Sequence, residues 1–151
     1  MIVTITINGK KESLQIEPGD MLVDALRKAG HVEVKKGCDT GNCGVCTVLL
    51  DGKPIRSCSF LAVRAEGHEI TTIQGVAEEA RRFADFLNRE GADQCGFCAP
   101  GFALTVIAMK RELKNPTDAE IRHYLAGNLC RCTGYESQHR AIRNYLEADH
   151  A

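Results

Sequence analysis

The sequence lacks an excess of charge of either sign, and it lacks any long apolar run. Its 151 residues include 19 basic and 20 acidic side chains, which gives a formal net charge of -1. Such a balance provides no strong field for gathering phosphate backbones, so we expect no nucleic-acid partner. No segment approaches the roughly 18 apolar residues that a helix needs to cross a bilayer. The sequence therefore predicts no membrane span.

The N-terminal segment lacks the features of an export signal. MIVTITINGK alternates branched and polar residues, without a basic region followed by a continuous apolar one. We therefore expect a cytoplasmic protein. The chain also contains no internal repeat and no low-complexity tract. Its length and its hydrophobic content of 44% predict one or two compact domains.

Cysteine is the abundant functional residue. The eight cysteines are Cys38, Cys43, Cys46, Cys58, Cys95, Cys98, Cys130 and Cys132. An even number would fit four disulfides, but small disulfide frameworks belong to exported chains. A cysteine-free stretch, 59–94, also divides the cysteines into two groups of four. Two metal sites, each with four thiolates, are the simpler interpretation.

The first half of the chain has the pattern of an α+β domain. IVTITIN leads into Asn8-Gly9 and then SLQI, which predicts a hairpin, and a second hairpin is predicted with its turn at Asp51-Gly52. Between them, PGDMLVDALRKAG predicts a short helix that ends at Gly30. Strand character continues through ITTIQG, to residue 75.

The second half is predicted to be entirely helical. Helical spacing of apolar residues is found in EEARRFADFLNREG, PGFALTVIAMKREL, DAEIRHYLAGN and SQHRAIRNYLEA. Thr117 and Glu120 form a capping box at the start of the third helix, and Gly127 is predicted to close its far end. Four helices suffice for a small bundle. The predicted domains are therefore residues 1–76 and 77–151.

The first cysteine group has the spacing C-x4-C-x2-C over Cys38, Cys43 and Cys46, with Cys58 after eleven more residues. This is the spacing of plant-type [2Fe-2S] ferredoxins, and the interleaved glycines let backbone N–H groups approach the sulfurs. A zinc site is the alternative, but zinc favours C-x2-C pairs on both sides, and Cys58 has no near cysteine partner. No histidine replaces a ligand within the loop, which disfavours a Rieske cluster.

The second cysteine group combines C-x2-C at Cys95 and Cys98 with C-x-C at Cys130 and Cys132. The first spacing is also used by zinc sites and redox disulfides. The second is more informative, because two such close thiols cannot easily bridge each other and must both point at something else. Pro100 predicts a helix that begins beside Cys98, and its N-terminal N–H groups suit an anionic cluster. Thr133-Gly134 is predicted to start the last helix in the same way.

Several charged or titratable side chains near the cysteines have two interpretations. Lys35, Lys36 and Arg131 either offset the charge of a cluster or are ordinary surface cations. The five histidines are scattered, and we predict no metal role for them. They are His31, His68, His123, His139 and His150.

The motifs GCDTGNCGVCTV, QCGFCAPG and LAGNLCRCTGY occur in that order. With them, the chain resembles the small iron-sulfur subunit of the xanthine dehydrogenase family of molybdenum hydroxylases. Relatives include aldehyde oxidoreductase, carbon monoxide dehydrogenase, 4-hydroxybenzoyl-CoA reductase and nicotinate dehydrogenase. The resemblance spans nearly the whole chain. It implies a β-grasp ferredoxin-like domain followed by a four-helix bundle, each with one [2Fe-2S] cluster.

The resemblance also implies roles for individual residues. The ligands of the cluster nearer the acceptor would be Cys38, Cys43, Cys46 and Cys58, and those of the cluster nearer the molybdenum cofactor would be Cys95, Cys98, Cys130 and Cys132. Gln94 and Cys132 would contact the molybdopterin of a partner chain. Ala99 stands where the family usually has threonine, and we expect its loss to weaken the helix cap.

As a member of this family, the chain would be the non-catalytic electron-transfer subunit of a molybdenum-dependent oxidoreductase. Its partners would be a large molybdopterin-binding subunit and a medium FAD-binding subunit or another acceptor, in a hetero-oligomer such as a dimer of heterotrimers. The substrate stays open. Two alternatives are a freestanding two-cluster ferredoxin and a non-redox, zinc-stabilised interaction module.

Overall fold

The computed structural model describes residues 1–148, so the last three residues of the predicted second domain, with His150, lie outside the described residues. The strands are β1 (Ile2–Ile7), β2 (Lys10–Gln15), β3 (Thr47–Leu50), β4 (Lys53–Arg56) and β5 (Glu69–Thr71). The α-helices are α1 (Leu22–Lys28), α2 (Ala77–Arg89), α3 (Ala99–Glu112), α4 (Asp118–Tyr124) and α5 (Glu136–Glu147). The expected α+β half followed by an all-helical half is confirmed.

The five strands form one mixed sheet in the order β2-β1-β5-β3-β4. β1 and β5 are parallel, and the other pairs are antiparallel. Alternate residues of β1 point to one face, where they pack against α1 in a continuous apolar core. This is a helix held across a mixed sheet, as the β-grasp fold requires.

Both predicted hairpins are present, and their turns explain their register. Asn8 and Gly9 have φ values of 50° and 79°, and Asp51 and Gly52 have 48° and 82°. Two successive residues with positive φ are what the tight turn of a twisted hairpin needs, and Asn, Asp and Gly reach that region at least cost. The turns therefore fix pairs such as Ile7 with Lys10.

The helix α3 connects the two halves of the molecule. Every residue from Gly101 to Met109 is buried, as expected of a helix that is apolar all round. One side packs in the helical core with residues such as Phe83 and Tyr145. The other side contributes Leu104 and Ile107 to a smaller cluster that includes Leu49 of β3. The two halves therefore share buried surface.

Three predicted boundaries were wrong. β5 ends at Thr71 and is followed by a 3-10 turn, α4 ends at Tyr124 rather than near Gly127, and α5 begins at Glu136 rather than at Thr133. After β5 and after α4 the intervening residues make tertiary contacts, whereas before α5 Thr133 and Tyr135 bond to Cys130. Gly127, for example, packs so closely against Arg56 that a Cβ atom would collide with the guanidinium. The predicted capping box of α4 is present.

The helices in the described part of the chain are all too short or too polar to span a bilayer.

Candidate metal centres

The first cysteine group lies in the loop between α1 and β3, with Cys58 in the turn after β4. Gly41 and Gly44 adopt φ values of 71° and 74°, which fold the loop so that backbone N–H groups face sulfur. The N–H of Cys43 donates to Cys38 Sγ over 3.4 Å. This and the N–H groups of Thr40 and Asn42 lower the pKa of Cys38 to about 6. The loop therefore favours a thiolate at this position.

The other end of the first group, at Cys46, is shielded from solvent. Cys46 is only 2% exposed, and burial raises the pKa of its thiol to about 11 in the absence of a cation. A buried thiol of this kind becomes a thiolate only when a metal takes the place of its proton. The four sulfurs are arranged in two neighbouring pairs, Cys38 with Cys43 and Cys46 with Cys58.

The second cysteine group is assembled from two distant segments. Cys95 and Cys98 precede α3, whereas Cys130 and Cys132 lie in the loop before α5, and all four line one small cavity. Their sulfurs again form two pairs. Cys95 and Cys132 lie 3.5 Å apart, and Cys98 interacts with Cys130. The N–H of Phe97 lowers the pKa of Cys95, while burial raises the pKa of Cys98 to about 11.

The donor set fits a diiron cluster in each place. All eight cysteines are free thiols. Within residues 1–148, no three Cys, His, Asp or Glu side chains converge closely enough to hold a single metal ion. Instead each group presents two pairs of sulfurs, and a [2Fe-2S] cluster takes four cysteine thiolates, two on each iron. The residues present therefore fit two such clusters.

The two sites lie next to each other because their loops are in direct contact. The N–H of Leu129 donates to the carbonyl oxygen of Cys43 over 2.9 Å, and Asn128 Nδ2 donates to the carbonyl oxygen of Gly44 over 3.4 Å. A Cβ atom at Gly44 would collide with the carbonyl oxygen of Gly127. The Leu129–Cys43 hydrogen bond thus joins a cysteine of the first group to the residue before Cys130.

Comparison with known proteins identifies the family to which the chain belongs. Residues 5–72 match the family described as a 2Fe-2S iron-sulfur cluster binding domain, and residues 72–143 match the [2Fe-2S] binding domain family. The chain is 41% identical over 148 residues to the nicotinate dehydrogenase small FeS subunit of Eubacterium barkeri, covering 96% of this chain and 94% of that protein. It is 47% identical over 138 residues to the xanthine dehydrogenase iron-sulfur-binding subunit of Escherichia coli O157:H7, covering 89% and 87%. The chain belongs to the small iron-sulfur subunits of the xanthine dehydrogenase family of molybdenum hydroxylases.

Similarity to solved structures supports the same family assignment. The small subunit superimposes on a chain of quinoline 2-oxidoreductase from Pseudomonas putida 86 with a TM-score of 0.90 and 43% identity, covering 99% of this chain and 96% of that one. Aldehyde oxidoreductase from Desulfovibrio desulfuricans gives a TM-score of 0.90 at 35% identity, covering 99% of this chain but 17% of the longer one. The same unit thus exists both as a separate subunit and as part of a larger polypeptide. The small subunit is the non-catalytic iron-sulfur component of an oxidoreductase.

The two residues predicted to face a partner, Gln94 and Cys132, lie at the surface of the small subunit. Cys95 is also exposed, and Gln94 lines the same cavity as the second cysteine group. Phe97 and Leu129 beside them are also large apolar side chains that are 47% and 48% exposed. The edge of the second site is therefore accessible in the isolated subunit.

Position 99 is not the N-cap of α3, so the expected effect of Ala99 on the helix cap was wrong. The N-cap of α3 is Cys98, and Ala99 is already the first residue of the helix, with Pro100 second. A side chain caps a helix only from the N-cap position, so a threonine at 99 would not supply the expected cap. Cys98 itself caps α3 without a side-chain hydrogen bond, which leaves its sulfur free for a metal.

The structure shows what the charged residues near the cysteines contact. Lys35 Nζ donates to the carbonyl oxygen of Gly96 over 3.3 Å and lies 5.0 Å from the centre of the Phe97 ring. It therefore accompanies the second cysteine group, although it precedes the first in sequence. Lys36 pairs at the surface with Asp24, and Arg131 is exposed. Of the histidines, His31, His68 and His139 lie beside carboxylates.

Sequence reasoning missed three residues around Cys130. Thr133 Oγ1 donates to Cys130 Sγ over 3.3 Å, and the Cys130 N–H donates to the Tyr135 hydroxyl over 3.1 Å. Gln138 is buried against the same cavity. Thr133-Gly134 was predicted only as a helix start, and nothing in the local spacing signals hydrogen bonds around Cys130.

Proposed function

We propose that this subunit relays electrons, one at a time, between a molybdopterin-containing subunit and an FAD-containing subunit or another acceptor. The observation that carries the proposal is the direct contact of the two four-cysteine sites through Leu129 and Cys43. Bound in these sites, [2Fe-2S] clusters supply reversible one-electron redox chemistry.

The ligand sets of this proposal follow the two cysteine groups. Near the acceptor they are Cys38, Cys43, Cys46 and Cys58, and near the molybdenum cofactor they are Cys95, Cys98, Cys130 and Cys132. The residues of this chain hold the metals, aim N–H groups at Cys38 and Cys95, and exclude water from Cys46. Exposed Gln94 and Cys132 would contact the molybdopterin across the interface.

The proposed partners follow from the relatives. The nicotinate and xanthine dehydrogenase relatives are named as iron-sulfur subunits, and a large molybdopterin-binding chain is the corresponding partner here. A medium FAD subunit would complete a heterotrimer, and two heterotrimers a dimer. The proposed domains are 1–76 and 77–151. We further propose that the complex lies in the cytoplasm.

Purification of the native complex tests this function. A large molybdenum-containing chain should co-purify, with about four irons per small subunit if each group holds one cluster. Substrate, found by screening purines, aldehydes and N-heterocycles with an artificial acceptor, should reduce two distinct species seen by electron paramagnetic resonance (EPR). Colourless, zinc-loaded protein without such signals after dithionite would contradict the proposal.

Matched ligand variants test the assignment of the sites. Cys43→Ala should remove about half of the iron and one EPR signal, and Cys98→Ala should remove the other signal. Ser137→Ala in α5 serves as a control that should retain both. Loss of the same signal from both cysteine variants would refute the division into two groups of four.

A further inference from the structure

Gln138 has a buried side-chain oxygen without a hydrogen-bond partner in the described part of the chain. It lies in the first turn of α5 and is 4% exposed. Its Oε1 atom is shielded from solvent and has no hydrogen-bond partner within residues 1–148. Two other buried polar atoms share this property, but His139 Nε2 lies 3.1 Å from an Asp118 oxygen, and the Tyr124 hydroxyl lies beside Glu112. Gln138 Oε1 is therefore the buried polar atom for which no neighbouring polar group is found in residues 1–148.

The position of Gln138 points to the second cysteine group. Its side chain lines the small cavity formed by Cys95, Cys98, Cys130 and Cys132. It also borders an open apolar groove of about 400 Å³ near Leu129. Of the two spaces that Gln138 borders, the cysteine cavity is the smaller one and the one lined by sulfur atoms.

The chemistry of the cavity indicates which end of the amide is used there. Thiolate and cluster sulfurs accept hydrogen bonds, and a glutamine side chain carries two N–H donors. Rotation of the amide by 180° exchanges oxygen and nitrogen without changing its shape. The rotated amide presents Nε2 to the cavity in place of the unpartnered oxygen. A buried amide left without any partner would be destabilising, so an acceptor in this cavity also explains why glutamine is tolerated here.

We propose that Gln138 Nε2 donates a hydrogen bond to a sulfur of the second cluster and thereby raises its reduction potential. The inference rests on the proposed function, since it requires a cluster at that site. Reduction makes the cluster more negative, and a donor to sulfur stabilises the more negative form. Gln138 is a positioning and tuning residue, supplied by α5 and not by either ligand-bearing loop.

Gln138→Met tests the proposal, because methionine has a similar length and shape but no N–H donor. In EPR-monitored redox titrations of the full-length, cluster-loaded subunit, the potential of the second cluster should shift to more negative values. The first cluster should keep its potential and serves as an internal reference. Ser137→Ala, in the same helical turn, should change neither. Unchanged potentials in Gln138→Met, with full iron content, would overturn the inference.

A second measurement does not depend on the variant retaining its iron. Chains carrying ¹⁵N in the glutamine side chains, in a Gln94→Met background, should show an amide nitrogen coupled to the reduced second cluster in pulsed EPR. Absence of that coupling would overturn the inference. If the unmodified chain showed no iron-sulfur signal at all, the proposed function itself would fail, which is a separate result.

Discussion

The two cysteine groups reach similar arrangements by different routes. In the first group, three cysteines come from one loop of nine residues, Cys38 to Cys46, and the fourth follows β4. In the second group, two pairs more than thirty residues apart are brought together because α3 and α5 both pack against α2. The first site depends mainly on local backbone geometry, whereas the second depends on the helical core. The two sites should therefore respond differently to the same kind of damage.

The largest effect is expected from Gly44→Ala, which acts where the two sites touch. The substitution forces a non-glycine residue to a φ of 74° and drives its Cβ atom into the Gly127 carbonyl oxygen. We expect a loss of more than about 4 kcal/mol in the free energy of unfolding, measured in denaturant, with disruption of both sites.

Gly9→Ala is the matched control for that collision. Gly9 has a similar φ of 79°, but no atom lies near its Cβ position. Only the backbone cost of about 1–2 kcal/mol should remain. Equal losses from both variants would show that the contact between the loops is unimportant.

Phe83→Ala should weaken the second site more than the first. Phe83 is fully buried and packs against Phe102 and Tyr145, with ring centres 5.8 and 5.1 Å away. Its removal should cost about 3–5 kcal/mol, and the second cluster should be released at lower denaturant than the first. Iron release and the visible spectrum report this order. Simultaneous release of both clusters would mean that the halves unfold as one unit.

A smaller effect is expected from Lys35→Gln, which tests whether a residue beside the first group acts on the second. Its ammonium group lies near Gly96 and favours the anionic form of Cys95. Loss of the cation should shift the potential of the second cluster to more negative values. Lys36→Gln, whose lysine pairs with Asp24 at the surface, should leave both potentials unchanged. A shift of the first cluster alone would refute this placement.

The smallest effect is expected from Ala99→Thr. Because Cys98 occupies the N-cap of α3, the new hydroxyl gains no cap, and the free energy of unfolding should change by less than about 0.5 kcal/mol. Denaturant unfolding of the cluster-loaded chain measures it. A gain of about 1 kcal/mol, typical of a new cap, would show that the helix can begin one residue later.

Local features of this protein were predictable from sequence. The hairpin turns at Asn8-Gly9 and Asp51-Gly52, the capping box at Thr117 and the spacing of the first three cysteines are all encoded within a few neighbouring residues. Helix ends were predicted less well, because the residues after α4 and before α5 are used for contacts with Arg56, Gly44 and Cys130 that the local pattern does not contain.

Residue patterns along the chain were enough to divide the eight thiols into two groups of four and to predict a sheet with a helix in the first half and helices in the second. Folding in three dimensions set which sulfurs pair, the bond from Leu129 to Cys43, and the placement of Lys35 and Gln138 beside the second group. The two kinds of feature differ in the sequence distance over which they act. Turns, caps and cysteine spacing depend on neighbouring residues, whereas burial and sulfur contacts depend on how α3 and α5 pack against α2.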